Sequence, residues 1–146
     1  MLRERFKIGT YATLMLRRGD EVLFIRRSNT GVDDGFYCLP GGGIDGNEPV
    51  THAAMREAFE EVGIKVEKEN LKVVHVLHRM HPEGYETVGF FVEATKWEGE
   101  PENMEPHKHD DLGWFSINAL PENTVPQLMH VLDLIKEGVF FSELGW

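Results

Sequence analysis

Three carboxylates crowd one short stretch: Glu57, Glu60 and Glu61, within Arg-Glu-Ala-Phe-Glu-Glu-Val-Gly from Arg56 to Gly63. Glu57 and Glu61 are four residues apart, and like charges at that helical spacing repel by about 0.2–0.5 kcal/mol per pair. Gly63 reads as a helix C-terminal cap, so the cluster also meets the negative end of the helix dipole. A hard divalent cation removes both penalties, because Mg2+, with Mn2+ as the alternative, takes oxygen ligands. The competing reading is a solvated polar face in which Arg56 pairs with Glu60.

The element that carries these residues is expected to be a helix over 49–62. Pro49 suits its first position, having no amide hydrogen to leave unpaired. Met55, Ala58, Phe59 and Val62 recur at amphipathic spacing and are expected on the covered arc, with the three glutamates side by side on the opposite one. A glycine-rich loop over 41–48 precedes the helix, and strands are expected over 7–16, 21–27 and 36–40 before that loop. After the helix come a strand pair over 71–80 and 86–97, a polar loop over 98–111, a strand over 112–117 and a closing helix over 125–138. Strands with interposed helices predict an α/β or α+β sandwich. There is no internal repeat, low-complexity tract or linker-like change of composition.

The 146 residues fit one domain, 1–146, with a sizeable core. A formal net charge of −10 argues against a nucleic-acid groove or an anionic membrane surface. It also means that any phosphorylated substrate needs local positive charge, from basic side chains or from metal. The single Cys38 excludes an internal disulfide and reads as a small buried hydrophobe. No stretch reaches membrane-spanning length, and charges stand where a signal peptide would be apolar, so a cytoplasmic, reducing compartment is expected.

The stretch from Gly42 to Ile64, GGIDGNEPVTHAAMREAFEEVGI, resembles the Nudix box at every signature position. The resemblance implies the Nudix α/β/α sandwich, with a mixed central β-sheet and a loop–helix–loop catalytic motif at 42–64. It implies a Mg2+-dependent pyrophosphohydrolase that cleaves the pyrophosphate bond of a nucleoside triphosphate, or of a modified nucleotide of either sugar, to a monophosphate and pyrophosphate. Another nucleoside diphosphate-linked compound, an NDP-sugar or ADP-ribose, is the alternative substrate; a non-catalytic nucleotide-binding sensor is the alternative from outside enzymology. Silent members of the family generally lose box carboxylates, and this chain keeps them all. The side motifs of the ADP-ribose, dinucleoside-polyphosphate and coenzyme A branches are missing, which favours the MutT-like, triphosphate-directed branch.

By the same resemblance, Glu57, Glu60 and Glu61 are the metal ligands and the Gly41 carbonyl joins them. Arg56 orients one of the glutamates, its planar fork suiting a carboxylate. Glu105 falls in the later loop where an extra ligand or general base is expected, in competition with Glu98, Glu100, Glu102, Asp110 and Asp111. Arg27 matches the phosphate-contacting arginine better than Arg26. Asn123 is a candidate to read a base edge, or else a turn or cap residue. Glu48 is either catalytic or a charge favoured by the helix N-terminus. His75, His78 and His81, three apart on a strand, face alternate sides and cannot converge on a metal; His78 or Arg79 is a candidate pocket wall. The partner is expected to be a small nucleotide, and the chain a monomer or a homodimer, with Phe140, Phe141 and Trp146 of the tail packed on their own domain or on a second copy.

Overall fold

The computed structural model describes residues 3–146, so Met1 and Leu2 of the expected 1–146 domain lie outside the described residues. Its spine is β1 (Gly9–Arg18), which runs parallel to β6 (Glu86–Ala94) from Gly9 to Leu16. The other side of β1 is shared: β4 (Gly41–Gly43) pairs with Tyr11–Thr13 and β2 (Glu21–Arg27) with Arg17–Arg18, both antiparallel. β2 also carries β3 (Tyr37–Cys38) and β7 (His109–Ser116). Beyond β6 lie β5 (Leu71–Met80), antiparallel to it, and β8 (Phe141–Leu144), parallel to β5 at the edge.

Alternation along the strands gives the sheet two covered faces. Ala12, Leu14, Leu16, Leu23 and Ile25 pack against Ala53, Ala54, Ala58 and Val62 of α1 (Val50–Val62). Their neighbours Met15, Val22 and Phe24 turn to the other side, with Leu77 and Phe91, against Leu128, Val131 and Leu132 of α2 (Pro126–Lys136). Strands buried on both faces lose the polar alternation of a half-exposed sheet, as these do. The result is a mixed sheet between two helices, the α/β/α sandwich expected from the box.

Three local expectations give way. The glycine stretch is a strand rather than a loop: pairing with β1 uses only backbone groups, and a Cβ at Gly41 would lie 2.5 Å from the Ala12 carbonyl oxygen, so glycine is what permits the approach. The tail forms β8, an additional strand. The covered arc of α1 is also rotated from the one expected: Ala53, Ala54, Glu57, Ala58 and Val62 are buried, and Phe59 is 58% exposed. Small alanines bring the helix close to the sheet, and Glu57, three and four residues beyond Ala54 and Ala53, goes in with them.

Candidate functional site

The box closes on itself through Arg56. Its Nε and Nη2 donate to the two Glu48 oxygens at 3.1 and 2.6 Å, and Nη1 donates to Glu57 at 3.0 Å, with Glu60 at 3.4 Å. Nη2 also reaches the Gly43 carbonyl at 3.2 Å. One guanidinium therefore ties the loop to the helix and orients Glu57. The hydrogen bonds from Arg56 hold the Glu48 carboxyl down at about 2, and the Asp45 amide adds another at 2.8 Å. Glu48 is thus a fixed partner of Arg56 within the loop.

Glu57 and Glu61 face the sheet edge, where β4 meets the helix. The Gly41 amide donates to Glu61 at 2.9 Å, and a Cβ at Gly42 would lie 2.5 Å from a Glu57 carboxylate oxygen. Burial raises both acids, Glu61 to about 8. The charges of Glu57 and Glu105 push Glu61 further up, while the Gly41 hydrogen bond and the Arg27 charge pull it back. Glu105 also raises Glu57, as does Glu60. Glu60 itself is exposed, turned toward Arg56.

Glu105 reaches this group because its loop completes the end of α1. The last carbonyls of a helix have no partner within it. Here the Glu102 amide donates to the Val62 carbonyl at 3.0 Å and the Met104 amide to that of Glu61 at 3.1 Å. Gly63, at φ 73°, ends the helix in the left-handed conformation glycine favours. Asn103 then staples the turn: its Oδ1 accepts from the Glu105 amide at 3.1 Å and its Nδ2 donates to the His109 carbonyl at 2.7 Å. The competing acids go elsewhere. Asp110 pairs with Arg26 at 2.7 Å, Asp111 accepts from the Tyr37 hydroxyl, and Glu98, Glu100 and Glu102 are exposed. Asn103 had no signal in the sequence beyond a polar residue in a polar loop.

A cavity of about 490 Å³ is lined by Gly41–Gly43, which adjoin Glu57 and Glu61, by Arg27 and Cys38, by Tyr11, the register partner of Gly43, and by Arg79 and His81. Arg27 directs Nε to the Val32 carbonyl at 2.7 Å and Nη2 to the Thr30 hydroxyl at 3.3 Å, so it supports the adjoining loop while lining the cavity. Burial pushes the Cys38 thiol up to about 11, which leaves it inert at neutral pH. Asn123 sits in a turn and its amide donates across to the Gly35 carbonyl of another loop at 2.8 Å; it is not among the cavity-lining residues. The three strand histidines diverge, to Val139 and Ser142, to Glu86, and to Thr87 respectively. Of the two pocket candidates, Arg79 lines the cavity and His78 does not.

A buried and a half-buried acid with raised proton affinity, the further charge of Glu105 acting on both and only partial compensation from Arg27 and Arg56 form a site that favours a cation. Oxygen donors of this kind fit Mg2+ or Mn2+. Among the described residues, no three His, Cys, Asp or Glu side chains stand close enough to cage an ion as they are.

A family profile described as the NUDIX domain matches residues 7–134. The chain is 31% identical over 123 residues to an NAD-capped RNA hydrolase, NudC, of Pseudomonas aeruginosa, covering 83% of this chain and 41% of that protein. It is 36% identical over 71 residues to an 8-oxo-dGTP diphosphatase of Buchnera aphidicola, covering 49% and 55% of the two chains. The chain thus spans only about half, or less, of these curated relatives. Among solved structures, the MutT NUDIX hydrolase of Burkholderia pseudomallei superposes with a TM-score of 0.78 at 30% identity, covering 92% of this chain and 99% of that one.

Proposed function

The chain belongs to the Nudix family, a hydrolase of phosphorus-containing anhydrides, and from that premise we propose that it is a Mg2+-dependent nucleoside-triphosphate pyrophosphohydrolase. The observation that carries this reading is the set of Glu57 and Glu61, held by Arg56 and the Gly41 amide and within the electrostatic influence of Glu105, next to the glycines that line a nucleotide-sized cavity. Water adds to one phosphorus of the chain, the bridging P–O bond breaks, and a nucleoside monophosphate and pyrophosphate leave. We assign the ion to Glu57, Glu60 and Glu61, with Glu105 and the Gly41 carbonyl. Once bound, such an ion supplies Lewis-acid neutralisation of the phosphates and a more acidic water.

The chain's own residues do the rest. Arg56 fixes Glu57, and the Gly41 amide fixes Glu61. Arg27 lends positive charge to the phosphate end of the cavity. Glu105 comes from outside the box on a separate loop, where it pairs with Lys108 at 3.3 Å, and we assign it the role of accepting the proton of the attacking water. All box carboxylates are present, which favours turnover over a silent sensor.

The NudC relative favours a second reading, a dinucleotide in which the same anhydride chemistry releases two monophosphates. The net charge of −10 favours a small nucleotide over an RNA chain in either case.

A screen of nucleoside triphosphates, their oxidised forms and NADH, with Mg2+ and with EDTA, tests both readings by separating pyrophosphate, phosphate and monophosphate products. The expected result is pyrophosphate release that requires metal and falls by orders of magnitude in Glu60→Gln. Full turnover in EDTA or in Glu60→Gln would overturn the metal assignment, and phosphate as the product would overturn the cleavage position.

A further inference from the structure

One wall of the cavity runs away from Gly43 across three neighbouring strands in register. Tyr11 of β1 stands opposite Gly89 of β6, and Gly89 stands opposite Leu77 of β5. A Cβ at Gly89 would lie 2.2 Å from the Tyr11 ring, so the missing side chain is what lets the tyrosine lie across β6 toward β5. Arg79 is two residues beyond the inward-facing Leu77 and shares its face. The electrostatics agree with this placement: burial raises the Tyr11 hydroxyl, and the Arg79 charge acts on it in the opposite sense. His81 follows on the same face, its ring stacked on Tyr85 at 4.1 Å and bonded to Thr87 at 2.8 Å.

Arg79 differs from the other arginines of the box and cavity. Arg56 is saturated by carboxylates, and Arg27 is committed to Val32 and Thr30. The half-buried Arg79 guanidinium has no hydrogen-bond or ion-pair partner among the described residues, on a chain of net charge −10. A guanidinium offers five donors and no acceptor. The same cavity is lined by the apolar Phe91, Leu39, Val125 and Leu128, and by the polar Gln127 and Glu83.

We propose that Arg79, supported by Tyr11, is the specificity-determining residue of this site, and that it reads the paired N7 and O6 acceptors of a guanine-type base. The inference rests on the nucleotide reading above and deepens it. Arginine takes the two guanine acceptors side by side, whereas adenine presents an amine at the second position and sets donor against donor. The apolar walls hold the base plane, which distinguishes this ligand from a second phosphate.

Steady-state kinetics with dGTP, dATP, dCTP and dTTP on the full chain, for wild type, Arg79→Ala, Arg79→Lys and Tyr11→Phe, test the assignment. Wild type is expected to favour dGTP. Arg79→Ala should lower kcat/KM for dGTP by about 10- to 100-fold, mostly through KM, and leave dATP unchanged. Arg79→Lys should fail to restore the preference, since an ammonium lacks the planar fork. A parallel measurement, calorimetric binding of dGMP against dAMP in EDTA, needs no turnover. If dGMP preference is present and lost in Arg79→Ala while no triphosphate is hydrolysed, the base assignment stands and the hydrolase reading falls. Equal losses on all four nucleotides, a dGTP to dATP ratio unchanged by the mutation, or a preference for dCTP that disappears with Arg79 would each overturn the proposal.

Discussion

Replacing Glu61 by Gln should make the metal-free protein more stable at neutral and alkaline pH, although it removes a proposed metal ligand. The folded carboxyl has its proton affinity raised by burial, from the ordinary 4.5 to about 8. Between those two values the unfolded chain ionises while the folded one keeps its proton. Stability contributed by this group is therefore full below about pH 4.5 and declines as pH rises toward about 8. At about 1.4 kcal/mol per pH unit the interval corresponds to at most roughly 5 kcal/mol. Because Glu57 and Glu105 share the same repulsion, about 2–3 kcal/mol is the expected share of Glu61 alone. Glutamine keeps an oxygen to accept the Gly41 amide hydrogen and has no charge to desolvate. The assay is urea unfolding of both proteins in EDTA from about pH 5 to about pH 9, read as the difference between them, which cancels the groups they have in common. The difference should be near zero at the acid end and favour Glu61→Gln increasingly up to about pH 8. Added Mg2+ should then stabilise wild type and leave the mutant unmoved. A difference curve flat with pH would refute the claim that Glu61 is held in a desolvated, uncompensated setting.

Two further outcomes follow from neighbouring contacts. Gly42→Ala places a methyl group 2.5 Å from a Glu57 oxygen, so it should cost about 1–3 kcal/mol in thermal or urea unfolding and also lower kcat, because Glu57 must move. Asn103→Ala removes both staples of the Glu105 turn and should reduce kcat with little change in KM; Asn103→Asp, which keeps the acceptor for the Glu105 amide, should recover part of it. An unchanged kcat in Asn103→Ala would mean that the loop needs no staple.

The helix of the box and its loop were legible because the signature they carry needs particular side chains at particular intervals. Arg56, Glu57, Glu60 and Glu61 announce themselves, and the sandwich follows from the box they form. What escaped was set by backbone or by small residues. β4 hides in three glycines whose pairing leaves no side-chain pattern. The covered arc of α1 was misassigned because Phe59 and Met55 outweigh Ala53 and Ala54 by hydrophobicity, while the close helix–sheet contact selects for smallness. Asn123 bonds to Gly35, 88 residues away, a loop-to-loop contact that no local sequence pattern signals. Tyr11 needed the gap at Gly89, on a strand almost eighty positions later, before its place in the cavity had meaning.

The edge strand β8 has a consequence for how the protein comes into being. Its residues Phe141–Leu144 pair with Val76–Arg79, and the register sets Leu144 beside Arg79 itself. Chains emerge from the ribosome at about 5–20 residues per second, so β5 waits several seconds for its outer neighbour. During that interval the wall bearing Arg79 is a bare sheet edge, open to pairing with any other nascent strand. β1, β4 and α1, which carry the box, come from the first part of the chain and precede β8 by some eighty residues. A chain interrupted before Phe141 would carry the box while the strand bearing Arg79 still lacked its outer neighbour.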